Sequence, residues 1–337
     1  MKRTIIYVFL CSAFCIGALS CSDSPEKAIN NNGPRNLDSL LLVSPNDVSL
    51  LVERGNNLFK RYEYDLALND AAKAFRLDSN NIEARLLYAE VLNNREKRTV
   101  QEVEIAQKHY KWVIKKEPKN LRALVGLAGT YGFQQDFEKV FLYANEALRI
   151  DPKYRDAYVI KGSTYLLLGN VDLAKSSYET AIQQDPKFFE AYFLLGQIYQ
   201  SENDPLCIEY FNSAHELQPD QMEFTYQLAY SKQMFNQIES AKEIYREMAT
   251  DTSDLYVSRA LFHQGYIQHF VDKNIDSAKY FYISALETEP RMYEAWHNLG
   301  MCHEAKGDRL KAIKSYANAL KHNPEFELSR EAAERLR

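Results

Sequence analysis

The chain has 337 residues, 46% hydrophobic and 26% charged, with a formal net charge of −5 and a pI near 5.9. This mild acidity argues against general nucleic-acid binding, which needs a stripe of Lys and Arg to neutralise phosphates, and no such stripe is present. Only 12 glycines beside abundant Ala, Leu, Lys and Glu point to helix.

The first segment reads as a targeting signal. Lys2 and Arg3 form a positive flank, and Thr4–Ser20 is apolar but short of the roughly 20 residues that span a bilayer. It ends in Ala18-Leu19-Ser20-Cys21, followed at once by Ser22-Asp23-Ser24-Pro25-Glu26. This resembles a bacterial lipoprotein signal, in which a small residue precedes the Cys that becomes lipid-modified, although the usual Leu stands one place earlier. The resemblance implies a signal peptide over 1–20 and lipidation at Cys21. An ordinary secretory signal with an incidental Cys is the alternative. Two or three acyl chains on one residue would anchor the protein stably. Cleavage after Ser20 removes Lys2 and Arg3 and takes the charge from −5 to −7. Residues 21–47 then form a tether: Pro25, Asn30, Asn31, Asn32 and Gly33-Pro34 leave little to bury. Leu40 to Val43 can form a short helical lead-in that Pro45 stops.

From Val48 to Phe326 a pattern recurs about every 34 residues. Small residues stand at one phase: Gly55, Ala89, Ala128, Gly162, Gly196, Ala229, Gly265 and Gly300. A second helix follows with Ala67, Ala106, Val140, Ala174, Cys207, Ala241, Ala278 and Ala312, and then a large residue in six of the eight copies, such as Tyr178, Tyr245 and Tyr316. Small residues let two helix axes approach, and the large ones fill the space between units. Pro118, Pro152, Pro186, Pro219, Pro290 and Pro324 share one phase, just beyond a helix end. The expected units are 48–81, 82–120, 121–154, 155–188, 189–221, 222–255, 258–292 and 293–326. About five extra residues fall around Asn93–Glu104, and one near Lys273. Residues 327–337 read as a capping helix, with Leu328, Ala332 and Leu336 on its apolar face.

Period and residue order resemble the tetratricopeptide repeat, over roughly four fifths of the chain. The resemblance implies an all-α, right-handed superhelical α-solenoid of about eight helix pairs plus the cap. It also implies a ligand groove lined by the fifth, ninth and twelfth residues of each first helix. In repeats five and six these are Phe193, Gln197, Gln200, Tyr226, Tyr230 and Gln233. In repeats seven and eight they include Phe262, Tyr266, His269, His297 and Met301. Aromatic residues there are typical anchors for a bound segment, although they could equally pack across adjacent first helices. Tyr226, Tyr230, Phe262 and Tyr266 are expected to form one continuous aromatic wall. Repeats one to four place less aromatic residues at these positions, including Val52, Leu86, Val125 and Val159. Gly129 and Gly132 leave a shallow place for a backbone. Val52, Asn56 and Leu87 stand where one variant of the family carries a carboxylate clamp, so that clamp is absent. Glu83, Asp156, Glu190, Glu223 and Glu294, at the recurrent acidic second position, are expected on a solvated edge.

Nothing in the chain suggests chemistry. His263 and His269, and likewise His297 and His303, are six residues apart and leave different sides of a helix. No phosphate loop, nucleophile elbow or paired-Cys motif occurs. Cys207 and Cys302 lie in repeats five and eight, too distant for a disulfide, and are read as core residues. The expectation is a protein without catalytic activity, metal or cofactor, and with no small-molecule substrate or nucleic acid. Its partners would be other proteins, and a lipid anchor would place it at the outer membrane of a bacterial cell envelope, periplasmic or surface-exposed. A permanent subunit of an envelope assembly or secretion complex is the alternative.

Overall fold

A computed structural model describes residues 36–250 and 256–336. The leader, Cys21 and the first part of the tether lie outside the described residues. Among the described residues there are eighteen helices and no strand. They fall into two compact bodies, meeting at Ala191 and Tyr192.

The first body opens with α1 (Leu37–Val43) and continues as helix pairs: α2 (Val48–Lys60) with α3 (Tyr64–Leu77), α4 (Ile82–Asn94) with α5 (Val100–Lys116), α6 (Leu121–Phe133) with α7 (Phe137–Ile150), and α8 (Arg155–Leu167) with α9 (Val171–Gln184). It ends at the start of α10 (Phe189–Ser201). The second body holds the rest of α10 with α11 (Cys207–Leu217), then α12 (Met222–Met234) with α13 (Ile238–Met248), α14 (Tyr256–Phe270) with α15 (Ile275–Thr288), α16 (Tyr293–Ala305) with α17 (Arg309–His322), and the terminal α18 (Glu327–Arg335).

Local chemistry sets the helix ends. Asn81, Asn120, Asp136, Asn274 and Asp308 each accept a hydrogen bond from the backbone amide three residues on, satisfying one of the free donors of a first turn. Each of the six phased prolines sits two residues beyond the last residue of a second helix. Within the pairs, the turn carries a left-handed residue in seven of the eight copies: Tyr62, Gln135, Gly169, Asn203, Asn236, Lys273 and Gly307. The exception is the pair α4–α5, where the extra residues form the connection 95–99 and a second helix of 17 residues. There Thr99 and Glu102 form a reciprocal capping box instead.

The small residues of the first helices do what the spacing implies. A Cβ placed on Gly162 would lie 2.8 Å from Tyr178, on Gly196 2.7 Å from Phe211, and on Gly300 2.5 Å from Tyr316. These rings, with Tyr110, Tyr245 and Tyr282, are fully buried. At half-buried Gly129 a Cβ would stand 3.2 Å from Asn93 Nδ2, so the place is narrower than the spacing implies. The end of the tether also differs, because α1 packs on the first body through buried Leu37 and Leu41. Arg54, an unusual charge in the repeat, ties the two together. It donates from Nε and Nη2 to buried Asp70, 2.7 Å each, and from Nη1 to Asp38 of α1.

Candidate functional site

Fifth-position residues prove to be packing positions in six of the eight first helices. Val52, Leu86, Val125, Val159, Phe193 and Tyr226 are all buried. The Phe193 ring lies 4.7 Å from Phe224 and 5.6 Å from Phe211, which accounts for its burial. His269 is also buried, stacked on Phe270 with its Nδ1 3.7 Å from Cys302 Sγ. Phe193 and Tyr226 therefore serve the core rather than a solvent-facing groove, whereas His269, although largely buried, still lines a hollow beside the terminal helix. Cys207 and Cys302 are free thiols in that core, as expected, and burial pushes Cys302 up to about 12.

The remaining candidates do come together, in the second body. A groove of about 740 Å³ is lined by Tyr230, Gln233, Phe262, Tyr266, His297 and Met301. Tyr266 is 39% exposed, while Tyr230 and Phe262 are half-buried. Gln197 and Gln200 are not part of it; Gln200 Nε2 donates to Ser231 Oγ at 2.9 Å. The expected aromatic wall exists in altered form. Tyr226 and Tyr230 are parallel at 6.2 Å, but His263 links Tyr230 to Phe262, and Tyr266 pairs with Phe270 at 4.7 Å.

Sequence reasoning missed His263, Phe270, Met234 and Leu328, all of which line the groove. Met234 and Phe270 occupy the thirteenth position of their repeats, one beyond the positions considered. Leu328 was expected in the cap's packing face, yet it is 58% exposed. The buried stripe of α18 is Ser329, Ala332 and Ala333 instead, at the i, i+3, i+4 spacing that one helix face allows. Leu328 is thereby freed to wall the groove. A second hollow of about 580 Å³ adjoins it, sharing His297, Met301 and Leu328. There Arg335 Nη2 donates to both oxygens of Glu304 at 2.7 and 2.8 Å, and Tyr316 Oη donates to Glu304 at 2.9 Å.

Electrostatically the larger groove is quiet. Among its lining residues Glu294 is the one charged side chain. Burial, aided by nearby Arg259, drives His263 down to about 4, so it is neutral at physiological pH. The first body is different. Asp156 and Glu190, expected on a solvated edge, are buried beside Arg155. Arg155 pairs with Asp156 at 2.7 Å and with Asp185, and its guanidinium lies over the Phe188 ring at 4.1 Å. Glu190 Oε2 has no hydrogen-bond partner, and burial raises this carboxyl to about 7. The repeat's acidic position is thus enclosed here because an arginine and a phenylalanine ring close over it. No group of three metal-ligating side chains occurs among the described residues.

Comparison with known proteins supports the repeat reading. Residues 162–202 match a family described as TPR repeat, and residues 293–326 one described as tetratricopeptide repeat. Two segments of the chain are thus similar to tetratricopeptide repeats. It is 25% identical over 227 residues to RNA polymerase-associated protein CTR9 of Caenorhabditis elegans, covering 66% of this chain and 20% of that protein. The chain therefore spans about a fifth of the length of that curated relative. Among solved structures, the APC/C hetero-tetramer Cut9–Hcn1 is similar with a TM-score of 0.58 and 15% identity, covering 100% of this chain and 63% of that one. A human IFIT1 dimer with PPP-AAAA gives a TM-score of 0.53 at 18% identity, covering 85% of this chain and 77% of that one. These likenesses establish the all-α repeat fold.

Proposed function

We propose that the chain is a non-catalytic scaffold that binds partner proteins or polypeptide segments in the groove of its second body. Acyl chains on Cys21 would hold it at the outer membrane of a bacterial cell envelope. The observation that carries the reading is the convergence of half-exposed Tyr230, Phe262, Tyr266 and Met301, from three consecutive first helices, on one groove. Large aromatic side chains held in place lose little conformational freedom on binding, which makes them effective anchors. An RNA ligand is a poor fit, because no Lys or Arg lines the groove to meet a phosphate. Envelope placement rests on the leader residues around Cys21 and on their match to a lipoprotein signal. No helix among the described residues is long and apolar enough to cross a membrane.

Partner capture by crosslinking in native membranes tests the reading with the double variant Tyr230→Ala/Tyr266→Ala. Capture should fall by roughly 2–4 kcal/mol of binding free energy if both rings are anchors, with the melting temperature nearly unchanged. A stable variant that captures partners normally would place the binding surface elsewhere. A permanent-subunit role has one observation in its favour: Tyr280 of α15 and Leu310 of α17 stand largely exposed. A stoichiometric partner that survives purification would favour it.

A further inference from the structure

The two terminal helices each cover an end repeat, but their outer sides differ in chemistry. α18 turns Ser329, Ala332 and Ala333 inward and, beside Leu328, exposes Glu327, Arg330, Glu331, Glu334 and Arg335. That is the polar outer face a repeat array needs at its ends. α1 turns Leu37 and Leu41 inward. At 3.6 residues per turn, its opposite side carries Ser39, Leu42 and Val43, all exposed. Leu42 is 84% exposed and Val43 83%, the highest values of any large apolar side chain among the described residues. Leu40 is exposed beside them. Apolar groups clustered at an end that should be polar mark a surface that something covers.

Size and position indicate what covers it. The patch is three apolar side chains on a helix of seven residues, whereas a stable protein–protein interface takes roughly 20–30 residues a side. It is too small to hold a second copy or a folded partner by itself. It is also close in sequence to the expected anchor. Residues 22–36, fifteen in all, separate Cys21 from α1, and a chain of that length reaches at most about 50 Å. A bilayer that holds acyl chains on Cys21 therefore stays within reach of α1, so a weak apolar contact is enough. Charges of both signs stand beside Leu42, Asp38 and Asp70 with Arg54 and Lys73, so headgroup charge contributes little.

Resting on the anchor reading above, we propose that the outer side of α1 is seated in the lipid surface to which Cys21 is attached, with Leu42 and Val43 inserted at the boundary of headgroups and acyl chains. α1 is fixed to the first repeat. Leu41 joins the apolar core of that repeat, and Arg54 holds Asp38 of α1 with one nitrogen and Asp70 of α3 with two others. Seating α1 therefore orients the first body on the membrane, which acyl chains alone would not do.

A nitroxide attached to Ser39→Cys in the purified, lipidated full chain tests this. Cys207 and Cys302 are fully buried and escape the label. In phosphatidylcholine vesicles the nitroxide should be relaxed by oxygen, which concentrates in lipid, in preference to a water-soluble nickel complex. Adding Leu42→Ser and Val43→Ser should lower the ratio of seated to unseated nitroxides at least about tenfold, while the acyl chains keep the protein on the vesicles. Both replaced side chains are exposed, so the fold should be kept, and unchanged circular dichroism verifies this. A nitroxide that stays accessible to nickel on vesicle-bound protein, or that reaches lipid equally well in the doubly substituted chain, overturns the proposal and leaves the anchor reading standing. Spin–spin broadening between copies that the two serines abolish assigns the patch to a second copy and overturns it too. If Cys21 carries no acyl group and the chain does not float with vesicles, both readings are overturned.

Discussion

Tyr178 lies directly against Gly162: a Cβ added to that glycine would come within 2.8 Å of Cε1, and the Tyr178 hydroxyl hydrogen-bonds Ser163 Oγ at 3.0 Å. The ring touches the first helix of its own pair with no space to yield. Gly162→Leu should therefore overpack the contact, at a cost of about 1–3 kcal/mol. Because repeats couple to their neighbours, hydrogen exchange should accelerate in α8 and α9 while α16 and α17 keep their protection. Simultaneous loss of protection along the whole chain would contradict this locality.

Glu190 gives a pH dependence. Its carboxyl titrates near 7 in the folded chain, because burial disfavours the charged form more than Arg155 favours it. The unfolded chain titrates in the ordinary carboxylate range. The folded state thus holds the proton more tightly, so stability falls as pH rises from that range through about 7. Glu190→Gln should remove this loss, stabilising the protein at pH 8 by at most roughly 3 kcal/mol and hardly at all near pH 4. A thermal shift that is the same at both pH values would exclude the mechanism.

Gln135 sits at φ 59° in the turn between α6 and α7, a conformation that costs a side-chain-bearing residue about 1–2 kcal/mol. Gly169 occupies the equivalent turn at φ 76° with open space around it. Gln135→Gly should raise stability by roughly 0.5–1 kcal/mol once the greater freedom of glycine in the unfolded chain is subtracted. Gly169→Ala should lower it by about 1 kcal/mol. Urea denaturation of the two variants measures both signs.

Cys21 tests the anchor. Cys21→Ser should release the protein from membranes or leave it unprocessed, which detergent partitioning distinguishes. Unchanged membrane association with an intact Thr4–Ser20 segment would indicate an uncleaved signal instead.

Much of this was legible in the residues themselves. The 34-residue spacing of small and large side chains specified stacked helix pairs, since only a glycine or alanine at that phase admits the ring from the second helix. The phased prolines marked the ends of the second helices for an equally local reason. The extra residues near Asn93 likewise surfaced as an altered connection and a longer second helix, whereas Lys273 keeps the left-handed turn of the other copies.

The groove was legible only in part. Sequence spacing identifies which residues share a helix face, and so it selected Tyr230, Gln233, Phe262, Tyr266, His297 and Met301 correctly as neighbours. It does not measure depth. Fifth residues of different first helices end at different depths: Phe193 and Tyr226 are buried while Phe262 is half-buried. The same holds for Asp156 and Glu190, which become buried only when Arg155 and Phe188 close over them. It holds too for Leu328, left exposed because Ser329, Ala332 and Ala333 take the contact face of α18. The sequence by itself determined the repeating helix pairs, because their rules act over one turn or one pair of helices. Burial, charge state and the membership of the groove were decided by tertiary structure, because each depends on side chains brought together from different repeats.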